Sequence, residues 1–165
     1  MPGIRPLSWN PHGRPLTQDD YVSVPSTLTE TQGSISNHLY YIKLHGSMNW
    51  LSSDGQGLMV IGGGKRAQIQ REKLLHSYSK LFEDVLSRRN RRLLVIGYGF
   101  RDSHINEVIA HAIRKYGLKL SAISPASPRD FRATLLEDYD KDKKTLEDQK
   151  TLEDKRTLWE GLAGY

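Results

Sequence analysis

The chain has 165 residues, 37% of them hydrophobic, a formal net charge of +5 and no cysteine. That length fits one domain with a single core, and the missing cysteines exclude a disulfide framework, a thiolate zinc site and a cysteine nucleophile. No segment resembles a signal peptide and no apolar run approaches the ~20 residues of a membrane span, so a cytoplasmic address without a membrane partner is expected.

Residues 1–38 are rich in Pro, Gly, Ser and Thr and read as an irregular segment. The patterned core, taken as residues 39–135, starts with Leu39-Tyr40-Tyr41-Ile42-Lys43-Leu44, a β-prone run, followed by His45-Gly46-Ser47 and then Met48-Asn49-Trp50-Leu51. Of the six histidines His45 stands out, because it follows a strand end and its small neighbours leave room for a ligand. A turn histidine that bonds backbone accounts for the same spacing. Residues 52–57 read as a turn and Leu58-Met59-Val60-Ile61 as a short strand. Gly62-Gly63-Gly64-Lys65 hints at phosphate cradling, but Arg66 and Ala67 stand where a P-loop needs its hydroxyl residue, which favours a hairpin or linker.

Leu74, Leu75, Tyr78, Leu81, Phe82, Val85 and Leu86 recur at helical spacing and predict an amphipathic helix. Arg88, Arg89, Arg91 and Arg92 follow it. Such a cluster could touch nucleic acid, although solvated arginines that complement a helix dipole are the favoured reading. Leu93-Leu94-Val95-Ile96 is short enough for a buried strand and breaks into Gly97-Tyr98-Gly99-Phe100-Arg101-Asp102. Asp102 or Ser103 can cap the next helix, whose apolar stripe is Ile105, Val108, Ile109, Ala112, Ile113 and Tyr116. His104, in its first turn, could bond a ligand oxygen or help the cap. Gly117 supplies the stop, and Leu118-Lys119-Leu120-Ser121-Ala122-Ile123 reads as the next strand. Strand, turn, helix and strand make a βαβ unit with a right-handed crossover. The fold class is therefore α/β, a Rossmann-like parallel sheet with flanking helices. Its ligands are expected at the strand carboxyl ends, where residues 97–102 lie.

Ser124-Pro125 and Pro128 mark a loop at a second strand end. Residues 136–165 form a charged tail in which Lys144-Thr145-Leu146-Glu147-Asp148-Gln149 recurs as Lys150-Thr151-Leu152-Glu153-Asp154-Lys155 and fades into Arg156-Thr157-Leu158-Trp159-Glu160-Gly161. A six-residue step turns roughly 600° around a helix, so Leu146, Leu152 and Leu158 point in three directions and no coiled-coil seam forms. A solvated helix docked through Leu135, Leu136, Trp159 and Leu162 is expected. Asp140 and Asp142 alternate with lysines and do not make a calcium loop. No histidine or acid pair has metal-ligand spacing in sequence, which disfavours a metal site.

Tyr41-Ile42-Lys43-Leu44-His45-Gly46-Ser47-Met48-Asn49-Trp50, taken with Leu94-Val95-Ile96-Gly97-Tyr98-Gly99-Phe100-Arg101-Asp102-Ser103-His104-Ile105-Asn106, resembles the bacterial sirtuin-like family. The resemblance covers residues 39–125, and residues 159–165 are similar to the family's usual ending after the core. It implies that His45 is catalytic and that Gly46 and Ser47 beside it, with Gly97, Tyr98, Gly99, Phe100 and Asp102 of the glycine turn, bind NAD, which is the substrate. Ser124 would lie beside the adenosine, where sirtuins often carry Asn. Deacetylases of the family hold a four-cysteine zinc module after the histidine motif, so the cysteine-free chain is similar instead to the zinc-free branch, which includes NAD-hydrolysing effectors of anti-phage defence. The family's Gly-Ala-Gly phosphate loop and Thr-x-Asn-x-Asp segment do not occur upstream of Leu39. The resemblance therefore implies the carboxyl half of a sirtuin-like domain, weak or inactive by itself. The alternative is a non-catalytic module of a larger sirtuin-like protein, associating with itself or with a partner that supplies the amino-terminal half.

Overall fold

The computed structural model describes residues 22–23, 42–52, 55–137 and 145–164. The expectations for residues 1–38 (apart from Val22–Ser23), 39–41, Asp140 and Asp142 lie outside them. In chain order the elements are β1 (Val22–Ser23), β2 (Gly46–Leu51), β3 (Gly57–Met59), α1 (Lys65–Arg71), α2 (Lys73–Leu86), β4 (Arg92–Ile96), α3 (Ser103–Tyr116), β5 (Lys119–Ile123), α4 (Pro128–Glu137), α5 (Leu146–Glu160) and β6 (Leu162–Gly164). The chain forms two compact units, residues 1–82 and 83–165.

In the first unit β1 runs parallel to β2, and β2 pairs antiparallel with β3. Of the β-prone run over residues 39–44, the described residues 42–44 carry no strand, and β2 starts only at Gly46. Leu44 and His45 lie in a turn, closed by the Gly46 N–H donating to the Lys43 carbonyl at 3.1 Å. Trp50, Leu58 and Val60 from the hairpin bury against Ile69 of α1 and Leu74, Leu75 and Tyr78 of α2. The α2 stripe is thus as its periodicity predicts, whereas α1 has only Ala67 and Ile69 as apolar residues and leaves no stripe to read. Gly62 to Gly64 do form a loop, and Gly64 ends it in a left-handed conformation (φ 68°) at the N-cap of α1.

In the second unit β4, β5 and β6 make an all-parallel sheet in that order. The β4-α3-β5 unit matches expectation, including Gly117 as a left-handed C-cap (φ 70°). Asp102 occupies the N-cap position of α3 without a side-chain capping bond. Helix α4 begins sooner than the two prolines suggested. Ser127 Oγ accepts the Asp130 N–H at 3.1 Å and donates to the Asp130 carboxylate at 2.7 Å, with Pro128 at the first helical position.

The three repeat leucines do face three environments, since Leu146 is 85% exposed, Leu152 half-buried and Leu158 fully buried. Leu158 is therefore the main anchor of α5, with Leu135 buried and Leu136, Trp159 and Leu162 only half-buried. Two ion pairs join α5 to α3, Arg114 to the buried Asp154 at 2.9 Å and Lys150 to Glu107. Gly161 lets the chain pass close to Ile113, where a Cβ would approach the side chain to 2.8 Å. That places β6 beside β5, a strand too short to be read from its sequence.

Among the described residues, one face of this sheet is closed and the other is not. Val95, Leu120 and Ala122 are buried, while Leu94, Ile96 and Ile123, alternating with them, are 56%, 69% and 56% exposed. Parallel sheets ordinarily bury both faces. No helix among the described residues is long and apolar enough to cross a membrane.

Candidate functional site

In the first unit His45 sits on a turn whose geometry is fixed by its neighbours. Its carbonyl accepts the Val60 N–H at 2.9 Å, just past the end of β3. Gly46 is left-handed at φ 79°, and a Cβ there would bring the Leu58 carbonyl carbon to 3.0 Å with its oxygen closer still. Only glycine fits both demands. Ser47 Oγ accepts from Lys43 Nζ at 2.8 Å and donates to Asn49 Oδ1 at 2.9 Å. Lys43 Nζ also stands 5.3 Å over the Trp50 ring. This chain of contacts locks the residues after His45 into β2, and Lys43 and Asn49 were not singled out by sequence reasoning.

In the second unit the chain leaves β4 at Gly97, which is left-handed at φ 66°. Its N–H donates to the Ile123 carbonyl at 3.2 Å, so the turn stays joined to the end of β5, next to Ser124. The structure thereby brings Gly97, Tyr98, Gly99, Phe100, Asp102 and Ser124 to one end of the parallel sheet. Gly97 and Gly99 are exposed, and Phe100 is buried. The Phe100 ring packs between Tyr98 (centroids 4.7 Å apart) and Phe131 of α4 (5.6 Å, edge to face). Ser124 Oγ accepts the Ala126 N–H at 3.2 Å and shapes the adjoining loop.

The Asp102 carbonyl accepts the N–H groups of Ile105 and Asn106, both at 3.0 Å, and opens α3. Tyr98 Oη lies 3.0 Å from Asn106 Oδ1 and 3.3 Å from the Asp102 carbonyl. Burial first, and the Asp102 carboxylate second, raise the Tyr98 phenol well above its ordinary pKa. It stays protonated and acts as a donor. Asn106 closes the second motif, and its side chain is buried and donates to the Phe100 carbonyl at 2.8 Å. An amide four residues after the N-cap, between Ile105 and the apolar Ile109 and Ala110, was the legible signal. The Arg88 side of the basic cluster engages Asp84 at 3.8 Å across one helical turn, while Arg89, Arg91 and Arg92 are exposed.

A parallel βαβ unit with a glycine turn at its strand carboxyl ends makes the second unit a Rossmann-like α/β module. Residues 10–144 match the family model described as the SIR2-like domain, and the chain belongs to that family. The match takes in both the His45-Gly46-Ser47 segment and the glycine turn. No curated protein and no solved structure matches the chain.

Proposed function

We propose that this SIR2-like domain takes NAD+ as its substrate and breaks the bond between the ribose C1′ and nicotinamide, with water capturing the ribosyl group. The observation that carries this reading is a single family match spanning both motifs. His45 acts as base or hydrogen-bond partner to the ribose hydroxyls. Gly97 and Gly99 let the backbone approach the dinucleotide, and the α3 N-terminus stabilises nearby negative charge. Asp102, itself an anion, faces a ribose hydroxyl rather than a phosphate, and Ser124 lies towards the adenosine. Gly46 and Ser47 hold the histidine segment in place. The setting we propose is NAD+ depletion in anti-phage defence. Nicotinamide release from NAD+, followed for the wild type and His45→Ala, tests this. Slow release abolished by His45→Ala supports it, and release untouched by that change removes His45 from the chemistry.

The open sheet face favours a second reading, a module that associates with another copy or with a partner carrying complementary structure. Leu94, Ile96 and Ile123 form an exposed apolar surface on a parallel sheet, and among the described residues β4 pairs only with β5. Sedimentation at rising concentration tests it. A monomer throughout, unchanged by Ile96→Lys, counts against association through this face.

A further inference from the structure

We infer that Asn106 is a positioning residue whose carboxamide, together with the Tyr98 hydroxyl, holds the glycine turn in the shape that receives the dinucleotide; the identity of that ligand rests on the function proposed above. The turn needs holding. Phe100 is left-handed at φ 53°, a conformation disfavoured for any residue with a Cβ. Nothing in a phenylalanine side chain compensates locally, so the conformation persists only where its surroundings impose it.

Those surroundings converge on one side chain. Asn106 Nδ2 donates to the Phe100 carbonyl at 2.8 Å, and Asn106 Oδ1 accepts from Tyr98 Oη at 3.0 Å. The backbone N–H of Asn106 meanwhile bonds the Asp102 carbonyl at 3.0 Å. Residues 98, 100 and 102, every second residue of the turn, are thus tied to the first turn of α3. Asn106 is only 2% exposed, so water does not readily replace a lost partner. The chemistry is specific to an amide, because one end must donate and the other must accept. A carboxylate at this position would set two acceptors against the Phe100 carbonyl. Tyr98 also packs its ring on Phe100, so its hydroxyl and its ring restrain the same strained residue from two sides.

The role is one of geometry, since Asn106 itself is buried behind the turn while Gly97 and Gly99 are exposed. If the turn relaxes, the glycine backbone is no longer presented in one arrangement and ligand affinity falls although no contacting group has changed.

The test uses the full chain, isotopically labelled, with Tyr98→Phe and Asn106→Asp, and two measurements on each: amide exchange at Gly97 and Gly99 without ligand, and NAD+ affinity by calorimetry. Tyr98→Phe removes one hydroxyl and keeps the ring, so it remains informative if Asn106→Asp fails to fold. The expected result is faster exchange at Gly97 and Gly99 with Leu120 and Ala122 in β5 unchanged, and NAD+ affinity weakened about tenfold. Unchanged exchange in both variants overturns the clamp, as does a loosened turn that binds NAD+ as tightly as the wild type. A wild type that binds no NAD+ while the variants loosen the turn overturns the proposed function and leaves the clamp standing.

Discussion

Gly46→Ala isolates the constraint that shapes the histidine segment. Two costs add at this position. An L-residue in the left-handed region is disfavoured by roughly 1–2 kcal/mol. The new Cβ would also overlap the Leu58 carbonyl, with the carbonyl carbon at 3.0 Å and Met59 Cα at 3.4 Å. Backbone cannot rotate away as a side chain can, so β3 must shift from β2 where Gly46 faces Met59. Overpacking of this kind costs about 1–3 kcal/mol, and the sum, roughly 2–5 kcal/mol, is a large part of a small domain's stability. Gly62→Ala is the matched control, because Gly62 is left-handed at φ 83° but a Cβ there meets nothing within 4 Å. Only the conformational cost applies to it. Urea unfolding followed by tryptophan fluorescence measures both, since Trp50 is buried near Tyr78 at 6.1 Å between ring centroids. Gly46→Ala is expected to lose clearly more stability than Gly62→Ala. Equal losses would refute the overlap and the role of glycine beside His45.

Tyr78 Oη is buried with no hydrogen-bond partner among the described residues, so Tyr78→Phe should leave stability unchanged or raise it by up to about 1 kcal/mol; a clear loss on urea unfolding would mean the hydroxyl is bonded. Arg114→Ala strands the Asp154 carboxylate, whose side chain is only 6% exposed, and should cost about 3 kcal/mol. Lys150→Ala, at a pair with a 58% exposed lysine, should cost under ~1 kcal/mol in the same assay. The raised pKa of Tyr98 sets an alkaline limit. Above the ordinary pKa of 10.0 the unfolded chain releases this proton and the folded chain keeps it, so the contribution of Tyr98 to stability is full below pH 10.0 and is lost progressively above it. Tyr98→Phe should flatten that decline in denaturation curves taken at successive alkaline pH values, and an unchanged slope would contradict the assignment.

The βαβ unit was legible because its signals agree at every level: an apolar strand, paired glycines, a helical stripe and Gly117 as stop. The 600° step of the repeat correctly separated Leu146, Leu152 and Leu158, but it could not say that Leu158 would be the buried one, since that depends on where α3 lies. Strand β6 has three residues and α1 scarcely any apolar face, so tertiary pairing rather than local pattern defines them. Residues 42–44, the described part of the β-prone run, are not strand, because the positive φ and close packing of Gly46 close a turn at Leu44 and His45. At the candidate site, residue types and spacing pointed to His45 and to the glycine turn. They could not show that Ser47 is already bonded to Lys43 and Asn49, or that Asn106 spans the turn, because both depend on side-chain direction.

The proposed action of this SIR2-like domain on NAD+ is tested most directly by nicotinamide release measured on purified wild type and His45→Ala. Slow release by the wild type that disappears in His45→Ala, with Gly62→Ala unaffected, is the predicted outcome. Absence of both NAD+ binding and nicotinamide release, in a chain shown to be folded, would contradict it.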